Sequence, residues 1–257
     1  MYRLTIVIPL WNKVEGLENR FKFISRADSD LVKFLVVDHD SSDGSSEVAR
    51  KFCCEHSNFE YVWIENHTHN PSEPRNVGLR LCDTDYIMFC DADDIVVPEN
   101  LPEAIKYLDE HPEVCCYTGN YDILQSIEYN DTEFGLICGY SRTYRKFKYF
   151  NIYDAIRQAA FILNGDILRK NHIKWKYRDE IQEDMLFGME YLWGCLQGET
   201  VYHSGKDLYL YYSNDHGRCS LVSSPGLNGM NYIEYTWDLM IKYHPEFRQF
   251  LENVRNM

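Results

Sequence analysis

"DYIMFCDADDIVVPENL", residues 85–101, decides the fold. Tyr86–Cys90 is a short continuous apolar run, the pattern of a strand buried on both faces, and it stops abruptly in Asp91, Ala92, Asp93 and Asp94. Open α/β sheets bind ligands at the carboxyl ends of their strands, where these acids are delivered. Three carboxylates in four positions repel one another unless a cation lies between them. Mg2+ or Mn2+ held by one or two carboxylates plus substrate phosphates is the usual resolution. The plainer reading is an acidic cap before Pro98, which suits the first turn of a following helix, although a cap needs only one carboxylate.

The same grammar runs through the first half of the chain. Leu4–Pro9, Phe34–Asp38, Tyr61–Ile64, Tyr86–Cys90 and Val114–Thr118 read as strands. They alternate with helices expected near Val14–Ala27, Ser45–His56, Ser72–Leu81 and Pro98–His111. That order predicts an α/β fold with a mixed, mainly parallel sheet flanked by helices. A second acidic group, Asp38, Asp40 and Asp43 in "FLVVDHDSSDGS", also follows a buried strand and belongs at the same sheet edge, although Asp43 and the serines equally suit a helix cap.

Beyond residue 118 the rhythm changes. Gly119–Phe150 lacks periodicity and reads as a wandering connection. A short helix from Asn151, a strand at "AAFIL", a helix over "EIQEDMLFGMEYLWGCL", a hairpin-like "ETVYHSGKDLYLYYS" and C-terminal helices from about Leu227 follow. With no repeats or low-complexity linker, residues 1–257 are expected to form one domain, with a nucleotide-type half to about residue 118 and a half of different purpose over 119–257.

Composition narrows the function. The 257 residues carry 26 Lys plus Arg against 40 Asp plus Glu, a net charge of −14, which disfavours nucleic acid as a partner. The apolar core of "MYRLTIVIPLWNK" is only about seven residues, too short for a signal segment, and no stretch approaches the roughly 18 apolar residues of a membrane span. A cytoplasmic location is expected. Nine cysteines without C-x-x-C spacing read as free, mostly buried thiols.

Six segments, in order, resemble the inverting glycosyltransferases of family 2, which have the GT-A fold. They are "TIVIPLWNK", "VVDHDSSDGS", "PRNVG", "DADDIVVP", "QEDMLF" and "LYYSNDHGRCS", spanning about residues 4–220. Each is weak alone, but six in sequence are specific. The resemblance implies a sugar transferred with inversion from a UDP-sugar to a saccharide or lipid-linked saccharide acceptor in glycan or surface polysaccharide synthesis, aided by Mn2+ or Mg2+.

Residue roles follow from the resemblance. Pro9 and Trp11 would wall the nucleobase, Trp11 standing where the family has Tyr and otherwise being an aromatic under the sheet edge. Glu15 would lie near the nucleoside, Asp38 would accept from the base, and Arg75 would approach the base or diphosphate. Asp93 would be the direct metal ligand, with Asp91 nearer the ribose or sugar. Asp184 would be the general base and Glu183 would orient the acceptor, unless the pair merely complements a helix N-terminus. His216 and Arg218 would close over the diphosphate, His216 also being a candidate metal ligand.

Three positions, His39, Asp40 and Pro74, depart from the family pattern. His39 occupies the family's second Asp position and Asp40 its Gly, so either His39 keeps the nucleoside contact through a ring nitrogen or Asp40 takes over the lost carboxylate. The basic, aromatic Tyr140–Phe150 suits either a solvated face over a core or docking of a phosphorylated lipid-linked acceptor at the inner membrane face. The competing function is a nucleotide-sugar-binding or partner-binding module without turnover.

Overall fold

The computed structural model describes residues 1–65, 70–125, 140–141, 160–176, 183–195, 200–213, 241–242, 245 and 248. Its first half alternates strand and helix: β1 (Leu4–Leu10), α1 (Leu17–Ile24), β2 (Val32–His39), α2 (Ser45–Glu55), β3 (Phe59–Ile64), α3 (Ser72–Leu81) and β4 (Tyr86–Phe89). The acidic turn leads into a two-residue strand β5 (Ile95–Val96), a 3-10 turn at Pro98–Asn100 and α4 (Leu101–Glu110). Then come β6 (Val114–Gln125), β7 (Tyr140–Ser141), β8 (Phe161–Asn164), α5 (Gly165–Lys170), α6 (Glu183–Cys195) and β9 (Thr200–Ser213).

These strands form one sheet in the order β3-β2-β1-β4-β8-β6-β9-β5, with β7 on the far end of β6. β3, β2, β1 and β4 are parallel, and β8 then joins antiparallel to both β4 and β6. Register aligns the ends that matter: Leu10 of β1 stands beside Asp38 of β2, and Val7 beside Phe89 of β4. The segments after β1, β2 and β4 therefore emerge along one carboxyl edge, where ligands bind in such sheets.

Strand alternation explains why both sheet faces are covered. Leu4, Ile6, Ile8, Phe34 and Val36 point to a core shared with α1, α2 and α4, through Phe21, Phe52 and Ile105 among others. Val7, Leu35, Val37 and Phe89 point to a second core with α3, α5 and α6, through Val77, Leu168 and Phe187. Each such side chain, fully buried, contributes about 1.5–3 kcal/mol against exposure. Four buried thiols, Cys82, Cys90, Cys115 and Cys116, are free and pack as small hydrophobes.

Two expectations for the second half need correction. Gly119–Gln125 does not wander: it prolongs β6, which pairs along its length with β9. "ETVYHSGKDLYLYYS" is no hairpin but the single strand β9, parallel to β6. The turn-like "SGKD" is a bulge instead. Register slips between Thr118 and Asn120, opposite His203 and Asp207, and Gly205 there takes φ 70°. The Asn151 helix, residues 142–150 and the start of the Leu227 segment fall outside the described residues.

Gly78 of "PRNVG" shows how tightly α3 lies on β1. A Cβ at Gly78 would sit 2.3 Å from Val7 Cγ1 and 2.7 Å from Val7 Cγ2. Gly78→Ala should therefore cost about 1–3 kcal/mol through overpacking. Urea unfolding checks it, and a neutral substitution would mean that the helix can lift without penalty.

Candidate active site

The carboxyl edge is built from three turns laced together. After β1, Asn12 adopts φ 49°, its amide donates to Ser41 Oγ at 3.0 Å, and its side-chain carbonyl accepts from the Ser42 amide at 2.8 Å. The Lys13 amide donates to Ser45 Oγ at 2.8 Å and the Val14 amide to Asp43 Oδ2 at 3.0 Å. Burial would push the Asp43 carboxyl up, but hydrogen bonds from Ser45 and the Val14 amide outweigh it and hold the group below the ordinary range.

Asp38, fully buried, sits inside this lacing. It accepts from the Ser41 amide at 3.0 Å, from the Tyr61 hydroxyl at 2.6 Å and from the Ser46 hydroxyl. Its contacts are with the chain itself. His39 is also buried, and its Nε2 lies 3.2 Å from Glu73 Oε2 in the first turn of α3. Asp40 is exposed with φ 61°, a left-handed conformation that favours Gly and that Asp tolerates better than most residues. The carboxylate beside position 39 therefore comes from Glu73, a residue the sequence reading did not single out. Its only signal was an acid in the first turn of a helix.

In the acidic turn each aspartate has its own partner. Asp91 Oδ1 accepts from Arg75 Nη2 at 2.6 Å, Asp93 pairs with Lys13 Nζ, and Asp94 Oδ2 accepts from the Tyr209 hydroxyl at 2.6 Å. The Asp91 amide lies 3.2 Å from the Tyr209 oxygen, and the Val97 amide donates to the Leu208 carbonyl at 2.9 Å, so β9 braces the turn from behind. Burial and Asp94 hold the Tyr209 phenol far above its ordinary pKa, and burial with Asp94 and Asp91 does the same to the Cys90 thiol. Burial of this kind disfavours the thiolate, and Cys90 packs as a small apolar side chain.

Arg75 joins this turn to α6. Its Nη1 donates to Glu183 Oε1 at 3.0 Å, and its guanidinium lies 4.3 Å over the Trp175 ring. Trp175 in turn stacks on Phe187 of α6 at 4.2 Å. Asn76 clamps the Trp175 backbone with two hydrogen bonds of 2.8 Å. Burial would push the Arg75 pKa down, but Asp91, Glu183 and Asp184 outweigh it and raise it further. Its Nε is buried without a hydrogen-bond partner among the described residues.

Asp91, Arg75, Glu183 and Asp184 thus come together. Pro9 is half-buried at the end of β1, while Trp11 (42% exposed) and Glu15 lie outward in the following turn. His216 and Arg218 fall outside the described residues. Among the described residues no group of three His, Cys, Asp or Glu side chains is placed to hold a metal. Carboxylate oxygens nevertheless suit Mg2+ or Mn2+, which need only one or two of them beside substrate phosphates. Asp91 and Asp93 are 42% and 30% exposed and so accessible, whereas Asp94 is buried and committed to Tyr209.

A curled, mostly parallel sheet with an acidic turn at its carboxyl edge and an acid pair facing it defines a GT-A fold transferase scaffold. Residues 5–166 match the model of glycosyl transferase family 2, and the chain belongs to that family. It is 26% identical over 113 residues to the Staphylococcus aureus poly(ribitol-phosphate) beta-N-acetylglucosaminyltransferase TarS, a stretch covering 43% of this chain and 20% of TarS. The crystal structure of S. aureus TarS 1-349 in complex with UDP-GlcNAc superposes with a TM-score of 0.65 at 19% identity, over 82% of this chain and 58% of that one. The mannosyltransferase PcManGT from Pyrobaculum calidifontis, in complex with GDP-Man and Mn2+, gives 0.58 at 16% identity over 84% and 58%.

The Tyr209 brace carries its own test. Tyr209→Phe keeps the ring but strips a buried carboxylate of its donor, so stability should fall by about 1–3 kcal/mol. Chemical denaturation reads the loss, and an unchanged midpoint would show that Asp94 finds another donor.

Proposed function

We propose that the chain is an inverting glycosyltransferase that moves a sugar from a UDP-sugar to a saccharide or lipid-linked saccharide acceptor. The observation that carries this reading is Arg75, which hydrogen-bonds Asp91 of the acidic turn and Glu183 of the facing acid pair at once. The acidic turn and the acid pair are thereby held on either side of one buried cation, which supports a donor site and an acceptor-activating base close together.

Asp184 takes the proton of the acceptor hydroxyl while its oxygen bonds to the sugar C1 from the face opposite the nucleotide. The C1–O bond to the diphosphate breaks in the same step, and UDP leaves with the electron pair. Glu183, fixed by Arg75, orients the acceptor. Asp91 and Asp93 would hold Mg2+ or Mn2+, which supplies positive charge to the leaving diphosphate. Pro9 and Trp11 wall the base, Glu15 lies near the nucleoside, and Asp38, whose turn is held by the Ser41 amide, accepts from the base; His39, paired with Glu73, keeps its nucleoside contact.

The reading includes one catalytic unit, a donor half to about residue 118 and an acceptor half beyond it, with Arg218 and His216 closing on the diphosphate. Among the described residues no helix is long and apolar enough to cross a membrane. We place the enzyme in the cytoplasm, meeting a lipid-linked acceptor peripherally at the membrane's inner face through Tyr140–Phe150.

The test is UDP release from a panel of UDP-sugars with Mn2+ and an acceptor extract. Asp184→Asn and Asp93→Ala should each lower turnover about 100-fold or more with an unchanged circular dichroism spectrum. Turnover at the wild-type rate in both variants would sink these assignments, and the absence of release from every donor would favour a binding module.

A further inference from the structure

Lys13 is unusual in being a cation fixed on the acidic turn by a backbone that cannot easily move. Its amide is tied to Ser45 Oγ at 2.8 Å, and the neighbouring Asn12 and Val14 amides are tied to Ser41 Oγ and Asp43 Oδ2, each at 3.0 Å. Position 13 is therefore held at the carboxyl edge, and only the side-chain methylenes are left to steer the ammonium. That ammonium bonds Asp93 Oδ2, 80 residues away in sequence. Both side chains are partly open to solvent, Lys13 at 25% and Asp93 at 30%, so the pair can be approached from outside.

The neighbouring carboxylates are spoken for differently. Asp91 shares Arg75 with Glu183, and Asp94 is buried against Tyr209. Asp93 has the most exchangeable partner of the three, because a flexible ammonium is a point charge on a mobile stem whereas Arg75 is a buried, stacked fork. An ammonium and a divalent cation at one carboxylate repel each other, so each weakens the other's hold on Asp93.

We propose that Lys13 is a resident counter-ion of Asp93 that a divalent cation displaces, and that the displaced ammonium is taken up by the diphosphate of the donor. Cation and donor then bind in concert: the cation alone must break an ion pair, and the diphosphate recovers that cost by accepting the freed charge. The second half rests on the glycosyltransferase reading, which supplies the donor. The competition at Asp93 does not.

Isothermal titration of MnCl2 into wild type, Lys13→Met and Lys13→Arg, without nucleotide and again with saturating UDP, tests both halves. Without nucleotide, Lys13→Met should bind Mn2+ about 3- to 10-fold more tightly than wild type, since an ion pair is no longer broken and a like charge is gone. Lys13→Arg should stay near wild type. UDP should strengthen Mn2+ binding markedly in wild type and less in Lys13→Met. Equal or weaker Mn2+ affinity in Lys13→Met, no Mn2+ binding by either protein, or Lys13→Arg behaving like Lys13→Met would each overturn the competition. If UDP leaves Mn2+ binding unaltered in every protein, the coupling to the donor falls, and with it support for a UDP-sugar. The comparison made without nucleotide would still stand.

Discussion

The buried guanidinium of Arg75 is the constraint on which the site depends. Taking an arginine out of water costs several kcal/mol unless its charge is matched and its donors are used. Here Asp91 and Glu183 match it from two directions, and Trp175 covers its face. Those partners arrive from three separate pieces of chain: the turn after β4, the start of α6 and the segment after α5. Remove the cation and two like-charged carboxylates would face one another with nothing between them. The same ion that is costly to bury therefore dictates how far the acid pair stands from the acidic turn.

Around that ion, "PRNVG" divides its labour cleanly. Arg75 supplies the charge, Asn76 pins the backbone of the residue that stacks on it, and Gly78 lets α3 approach Val7 closely enough to deliver both. Trp175 passes the constraint on to α6 by stacking on Phe187, and Lys176 pairs with Glu190 at 2.5 Å one helical turn further along. A motif that reads as five letters in a sequence is a chain of contacts running from the sheet to the acid pair.

Much of the architecture was legible because parallel strands buried on both faces are written as unbroken apolar runs. β1, β2 and β4 lie within two residues of their expected ends, and α3 spans Ser72–Leu81 as expected. The misreadings share a cause. "SGKD" has turn chemistry, but β6 holds β9 on both sides of it, and pairing over the length of a strand turned a local turn signal into a bulge. The site's residue types could be read, but their partners could not. Lys13 meets Asp93, His39 meets Glu73 and Tyr209 meets Asp94 across 80, 34 and 115 residues, distances over which no periodicity carries information. Asp38 illustrates the limit: its position after a strand was plain, yet only the fold reveals that Ser41, Ser46 and Tyr61 occupy its oxygens.

The brace from β9 also ties the acidic turn to a distant part of the chain. β1, β2 and β3 follow one another in the chain, so their pairings close short loops at modest entropic cost. The acidic turn is different, since Tyr209 must come back from the far end of the described sheet before Asp94 has its donor and β5 its partner strand. The turn after β4 is therefore held in shape by β9 as well as by its own neighbours. The acidic turn thus owes its final shape to a strand 115 residues downstream, and any change that loosens β9 reaches the carboxylates through Tyr209.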